Sequence, residues 1–340
     1  MKRRNFILSL VGGAALGWTG WKSNSYVSTP NAPFKTTGLL AKISRSSQAL
    51  GTRVSLTVYH QDMKVANEAI DHAFKEIDRV EQQMSLYRKD SQLCQLNRTG
   101  KLVHPHPYLV EVLQEAVQLS ETTGGAFDVT VQPLYCAYAE SAAAGELPDS
   151  NALAEILKRV DWRNLKITQD SIELLGDHTE ITLNGIAQGF ASDVAVRALR
   201  SYGIEHALID SGEIATLGNH GQDRDWSIGI KHPRVSDELL AQAALHGRCL
   251  ATSGDYETRF GSGYQHHHLL DPHSGLSANE LSSVSVAAPT ALQADALSTA
   301  VFVLGLQKGR QLIESMTDVD ALFVSKQGEL TRTQHFPIIT

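Results

Sequence analysis

The sequence predicts an α+β fold of mixed, largely antiparallel sheets with packed helices, and three observations support that expectation. Strand-like and helix-like runs are interspersed without a regular βα repeat, which argues against a parallel, doubly wound sheet. No internal repeat or low-complexity tract interrupts the chain beyond its N-terminal region. Apolar residues make up 42% of 340, enough to fill the core of one large domain or two closely associated lobes.

The elements follow in order. Lys2-Arg3-Arg4-Asn5-Phe6-Ile7-Leu8 leads into the apolar run Ser9 to Trp18 with no acidic residue, an export signal over 1–21 with a twin-arginine character. An ordinary signal with two incidental arginines is the alternative. The run is well short of the roughly 20 residues of a membrane span. No cysteine follows it for lipid attachment, and Trp18 to Trp21 offers no clear pair of small residues for cleavage. The expected location is therefore periplasmic or exported, either free or membrane-tethered through an uncleaved signal.

Residues 22–48, rich in Ser, Thr, Asn and Pro, predict a linker, with the folded body over 49–333 and a C-terminal tail over 334–340. Arg53 to Tyr59 alternates polar and apolar, with Val54, Leu56 and Val58 on one side of a strand. Helical spacing marks 62–82 and 107–121, the latter stopped by Gly124-Gly125, and Pro148-Asp149-Ser150 opens a short helix ending near Val160. Short strands and turns follow from Leu165. A helix is predicted over 186–202 and strands over 206–210, 226–231 and 282–288. The C-terminal portion reads as helices over 290–306 and 307–316, then strands near 320 and 330.

Net charge is −7, or about −10 without the three cations of the signal, and no Lys- or Arg-rich run occurs, so nucleic acid is excluded as a partner. Cys94, Cys136 and Cys249 lie far apart and belong to no close-spaced metal motif; at most one disulfide can form.

Chemistry concentrates in a few segments. The helix beginning at Pro289-Thr290 is apolar nearly all round, yet Asp295, Ser298 and Thr299 put three oxygens on one face. A buried carboxylate there needs a cation or several donors, and oxygen ligands suit Mg²⁺ or Ca²⁺; an Asp capping a neighbouring loop is the alternative. Thr182-Leu183-Asn184-Gly185-Ile186-Ala187-Gln188-Gly189 reads as a strand breaking at glycine into a helix, a turn that either presents N–H groups to an anion or serves packing. Ala126-Phe127-Asp128 after the paired glycines is either a ligand loop or a helix C-cap with a buried Phe. Tyr87 can stack on a planar heterocycle or pack half-buried. In His266-His267-His268 an extended chain sends His267 away from the other two; one histidine beside a phosphate can act as general base, with a transition-metal site or a solvated loop as the alternatives.

Taken in order, these segments resemble the ApbE family of FAD:protein FMN transferases. The resemblance covers residues 49–333 and rests on Ala126-Phe127-Asp128 before Thr130-Val131-Gln132-Pro133-Leu134, on Gly185-Ile186-Ala187-Gln188-Gly189, on Ser253-Gly254-Asp255-Tyr256, on His268-Leu269-Leu270-Asp271-Pro272, and on Ala294-Asp295-Ala296-Leu297-Ser298-Thr299. It implies an ApbE or T-fold-like architecture and transfer of FMN from FAD to a Thr or Ser hydroxyl of an exported or membrane flavoprotein, releasing AMP. It implies Mg²⁺ held by the Gly185 carbonyl, Asp295 and Thr299, with Ser298 where the family often has Asp. By the same resemblance FAD is contacted by Leu50, Tyr87, Ala126, Phe127, Asp128, Thr182, Gln188 and Leu270, with His268 and Asp295 as the catalytic pair. Three positions depart from the family pattern: Leu50 for Met, Thr182 for Asp, and Gln188 for Lys or Glu. The last two remove charge from the flavin pocket, which makes a non-catalytic flavin carrier or assembly chaperone one alternative reading; an FAD pyrophosphatase using the same site with water as nucleophile is the other. A twin-arginine signal without a lipid-attachment cysteine is similar to the family's NosX branch, whose acceptor is a membrane-bound flavoprotein.

Overall fold

β1 (Ala41–Ala49) and β2 (Thr52–His60) form a hairpin paired along all of β1, from Ala41↔His60 to Ala49↔Thr52. The computed structural model describes residues 40–221 and 224–339, so the predicted export signal and most of the predicted linker lie outside the described residues. Val54, Leu56 and Val58 of β2 are fully buried, as their alternation predicts. β1 corrects the linker boundary, which was expected at residue 48. It is a sheet-edge strand whose one buried side chain is Ile43, so its sequence carries almost no period-two signal, and backbone pairing to β2 makes it a strand. The two-residue turn uses left-handed backbone at Leu50 (φ 54°) and Gly51 (φ 73°), as a tight hairpin requires.

α1 (Met63–Met84) starts at Asp62, whose carboxylate accepts the Lys64 and Val65 N–H groups at 2.7 and 3.2 Å. Such a cap contributes on the order of 1 kcal/mol. Ala66, Ala69, Ile70, Ala73, Ile77 and Val80 recur on its buried face. α2 (Gln92–Thr99) and β3 (Lys101–Val103) precede α3 (Pro107–Thr122). α4 (Gln132–Ala143) and α5 (Ser150–Leu157) follow, the latter capped by Asp149, and then the short β4 (Leu165–Ile167) and β5 (Ser171–Leu174). Next come α6 (Ala187–Ser201), β6 (His206–Asp210), β7 (Ile214–Leu217), β8 (Trp226–Lys231), β9 (Leu239–Leu245), β10 (Cys249–Gly254) and β11 (Leu281–Ala288). The chain ends with α7 (Ala291–Glu314), β12 (Asp320–Ser325), β13 (Leu330–Arg332) and β14 (Ile338–Ile339). β14, within the C-terminal tail expected over 334–340, pairs with β9.

Eight strands make the main sheet in the order β1-β2-β6-β7-β10-β11-β12-β13, and β14-β9-β8 and β3-β5-β4 make two small sheets; all pairings described are antiparallel. Alternation along the central strands sorts the core into two layers. Val284, Val286 and Phe323 face the helices α1, α6 and α7, whereas Leu250, Ala287 and Leu322 face Trp226, Ile228 and Ile230 of β8. A third cluster of Leu134, Tyr138, Leu153, Phe260 and Leu270 ties α4 and α5 to the segment that carries the histidines. α7 is two helices joined at Gly305 (φ 76°, ψ 179°), close to the predicted division at 306/307. A Cβ at Gly305 would collide with the Glu280 carboxylate, which accepts the Leu306 N–H at 3.2 Å and so caps the second segment.

Candidate active site

The buried face of α7 is where the main sheet and α6 converge. Gly189 lets the two helices approach so closely that a Cβ there would lie 2.3 Å from the Ala291 carbonyl oxygen and 2.8 Å from the Asp295 Cβ. That approach delivers the Gly189 N–H to the Asp295 carboxylate at 2.9 Å. Of the two readings of this glycine turn, Gly189 serves close packing of α6 on α7, and its N–H meets a carboxyl group of the chain itself. The residues before the turn are not a strand: Thr182 makes one backbone hydrogen bond, to the Val129 carbonyl at 2.8 Å.

Thr299 stands against Gly185, where an added Cβ would sit 3.1 Å from its Oγ1. Ser253, at the end of β10, shares hydrogen bonds with the Ser298 hydroxyl at 2.7 Å and the Thr299 hydroxyl at 3.2 Å. Ser298 also donates to the Asp295 carbonyl at 2.8 Å, so its hydroxyl is engaged on the protein side. Asp295 is 5% exposed, and burial pushes its carboxyl up to about 7, against the lowering effect of the Gly189 N–H; Asp193 adds to the rise.

These groups open onto a cavity of about 980 Å³, a volume suited to a dinucleotide-sized ligand. Of the predicted site residues, Ala126, Phe127, Asp128, Thr182, Gly185, Gln188, His268, Leu270, Asp295 and Thr299 all line it. Ser298 lies behind the wall. Leu50 also lies outside the lining, in the hairpin turn beside Thr52 and Arg53, which do line the cavity. Tyr87 is 64% exposed and outside the lining.

Asp128 accepts the Thr130 N–H at 2.8 Å and hydroxyl at 2.6 Å on one oxygen, and the Trp162 N–H at 3.0 Å on the other. Burial raises its carboxyl and these donors oppose the rise. Its side chain fixes the loop that presents Ala126 and Phe127. Gln188 donates to the Ser211 carbonyl at 3.3 Å, bracing the turn from β6 into β7.

The three histidines diverge. His267 is fully buried, donating to the Ala278 carbonyl at 3.0 Å and packing edge-on against Phe302; burial pushes it down to about 4. His266 lines a separate cavity. His268 lines the large one, and burial lowers its pKa, favouring neutral imidazole. Its Nδ1 sits 3.3 Å from the Thr258 carbonyl, which accepts hydrogen bonds only, so Nδ1 carries the proton and Nε2 keeps a lone pair. Among the described residues no group of three or more His, Cys, Asp or Glu side chains is arranged to hold a metal. Around the Gly185 turn the predicted donors are the Asp295 carboxylate, the Thr299 hydroxyl and a backbone carbonyl, an all-oxygen set that fits a hard divalent cation beside phosphate oxygens.

Sequence reasoning missed Glu213, which lines the same cavity from the start of β7. Its Oε2 is shut off from solvent and has no hydrogen-bond partner. It sits in Ser211-Gly212-Glu213, a turn with no sequence feature to mark it. The three cysteines are free thiols.

A family model described as the ApbE family matches residues 50–323. The chain is 31% identical over 303 residues to an FAD:protein FMN transferase of Treponema pallidum, covering 83% of this chain and 84% of that one. It is 30% identical over 298 residues to one of Klebsiella pneumoniae, covering 84% and 90%. Among solved structures, the ApbE protein of Thermotoga maritima superposes with a TM-score of 0.78 at 27% identity, covering 86% of this chain and 97% of that one. The flavinyl transferase ApbE of Pseudomonas stutzeri gives 0.76 at 26%, covering 87% and 95%.

Proposed function

The chain belongs to the ApbE family, and on that premise we propose that it transfers FMN from FAD to a Thr or Ser hydroxyl of an exported flavoprotein in a magnesium-dependent reaction that releases AMP. It is a transferase that uses FAD and a protein acceptor, as its relatives are named. The observation that carries the finer reading is the Asp295 carboxylate. It is buried with one backbone donor, it stands at the wall of an FAD-sized cavity, and Thr299 and Gly185 are beside it.

Gly185, through its carbonyl, with Asp295 and Thr299 would hold the ion, and Ser253 and Ser298 keep the Thr299 side chain in place. When bound, magnesium neutralises pyrophosphate charge and stabilises the departing phosphate. Phe127 and Leu270 supply apolar wall for the flavin nucleotide, and the Asp128-braced loop holds that wall still. The acceptor hydroxyl oxygen attacks the phosphorus of the FMN half, and the bond from that phosphorus to the bridging oxygen breaks. The hydroxyl proton passes to Nε2 of His268, whose Nδ1 is held by Thr258, and AMP leaves. Walls that exclude water favour a positioned protein hydroxyl over hydrolysis.

The arginine pair and apolar run of the N-terminus support an exported location, and with it a periplasmic or membrane-bound acceptor. The test is to incubate the purified protein with FAD, Mg²⁺ and candidate exported flavoproteins, and to look for flavin fluorescence on the denatured acceptor band. Release of free FMN and AMP without an acceptor would mark a pyrophosphatase instead, and tight FAD binding without turnover would mark a carrier.

A further inference from the structure

Glu213, half-buried with its Oε2 shut off from solvent, is the acid that the mechanism above leaves unused. Gly212, at φ 99°, turns the chain so that Glu213 leads into β7, and Gln188 braces this turn with its amide nitrogen 3.1 Å from where a Gly212 Cβ would be. Ile214 pairs with Leu250 in β10, and the Glu213 carboxylate meets the Thr252 N–H, next to the Ser253 that bonds Ser298 and Thr299. Glu213 and Asp295 thus face one cavity from opposite elements, a strand and a helix. Burial and the Asp295 charge push the Glu213 carboxyl well above its ordinary range, opposed by the Thr252 N–H, and Glu257 and Asp210 add further negative charge. A buried carboxylate oxygen without a partner is costly unless something else meets it.

We propose that Glu213 is the second carboxylate of the divalent-cation site, adding its negative charge to that of Asp295 to bind the ion. The inference rests on the cation-dependent reading of the site. It gives the shut-off Oε2 of Glu213 a partner and explains why two acids line one cavity. Affinity for a hard divalent ion rises with the number of charged oxygen ligands, so a second carboxylate tightens its hold.

The experiment uses the whole purified protein at pH 8, with and without FAD, and titrates Mn²⁺ by electron paramagnetic resonance and calorimetry. Glu213→Gln, Glu213→Asp and Asp295→Asn are compared with the parent. Glu213→Gln is expected to weaken Mn²⁺ binding about 10–100-fold, and Glu213→Asp, which keeps the charge, less. Millimolar Mg²⁺ should raise the melting temperature of the parent more than that of Glu213→Gln, because the parent binds the ion more tightly. Parent-like Mn²⁺ affinity in Glu213→Gln, with loss in Asp295→Asn, overturns the role of Glu213 and leaves the cation reading intact. No saturable Mn²⁺ binding by the parent, with or without FAD, sinks the cation reading and this inference together. If Glu213→Gln does not fold, Glu213→Ala, which also lacks the carboxylate, takes its place, and parent-like Mn²⁺ affinity in it overturns the proposal.

Discussion

Asp255 and Asp295 are both almost fully buried acids, and the molecule treats them in opposite ways. Asp255, at the end of β10, receives a bidentate fork from Arg234 at 2.7 Å on each oxygen and the Lys326 ammonium at 2.5 Å. Arg234 lies over the Tyr264 ring at 3.9 Å, and Lys326 also donates to the Tyr264 carbonyl, so the network fastens the loop that leads to His268. Asp295, by contrast, receives one backbone N–H and has an acid, Glu213, as its electrostatic neighbour. A charge balanced within the chain holds the structure together, whereas one left unbalanced at a cavity wall is reserved for something that binds.

The sharpest way to break this contrast is to remove each acid in turn. Asp295→Ala should lower transfer on the order of 10³-fold while the protein stays folded, because the residue stabilises charge in the reaction rather than the chain. In-gel flavin fluorescence on an acceptor measures it; residual transfer within tenfold of the parent would place the essential charge elsewhere. Asp255→Ala should instead cost about 3–5 kcal/mol of stability, since it strands Arg234 and Lys326 beside each other. Urea denaturation followed by circular dichroism reads that loss, and a cost below about 1 kcal/mol would show that solvent reaches the network.

A pH series sharpens the same comparison at lower amplitude. The folded Asp295 carboxyl is raised to about 7, above its ordinary 3.8, so the native state holds a proton that the unfolded chain gives up. Its contribution is fully present below about pH 4 and is lost as pH rises through 7. With chelator present, stability should therefore fall by a few kcal/mol between these limits. Mg²⁺ added at pH 8 should restore much of it, and Asp295→Asn should flatten the curve. A flat curve in the parent would show that Asp295 is already balanced.

The contrast was half legible in the sequence. An acid inside the greasy run from Ala291 to Leu304 stands out by composition, and its Thr299 partner by helical spacing, so that half of the site could be named from residues alone. Glu213 could not, because a turn acid is ordinary until the fold buries it. Asp255 drew attention only within the Ser253-Gly254-Asp255-Tyr256 segment, and its cations come from residues 234 and 326, a separation that no local pattern spans. The same reason hid β1: its strand character comes from pairing with β2, while its own side chains are mostly exposed. α4 was missed because it follows the 3-10 turn Val129–Val131 directly and its apolar residues mark no single face.

Asp128 provides the intermediate case and the smallest expected effect. It is buried like the other two, but its compensation is three hydrogen bonds, from Thr130 twice and from Trp162. Thr130→Val keeps the shape and the backbone donor and deletes the hydroxyl that approaches to 2.6 Å. One hydrogen bond to a charged group contributes about 1.5–3 kcal/mol, and the two remaining donors blunt its loss, so a cost near 1 kcal/mol is expected, or roughly 2–4 °C in Tm. Because the same carboxylate steadies the loop bearing Ala126 and Phe127, KM for FAD should rise a few-fold with kcat little changed. Should Thr130→Val cost as much as Asp255→Ala, neutral donors would be doing the balancing work here assigned to cations. The isolation of Asp295, with its one N–H, would then mark a smaller difference than the contrast with Asp255 implies.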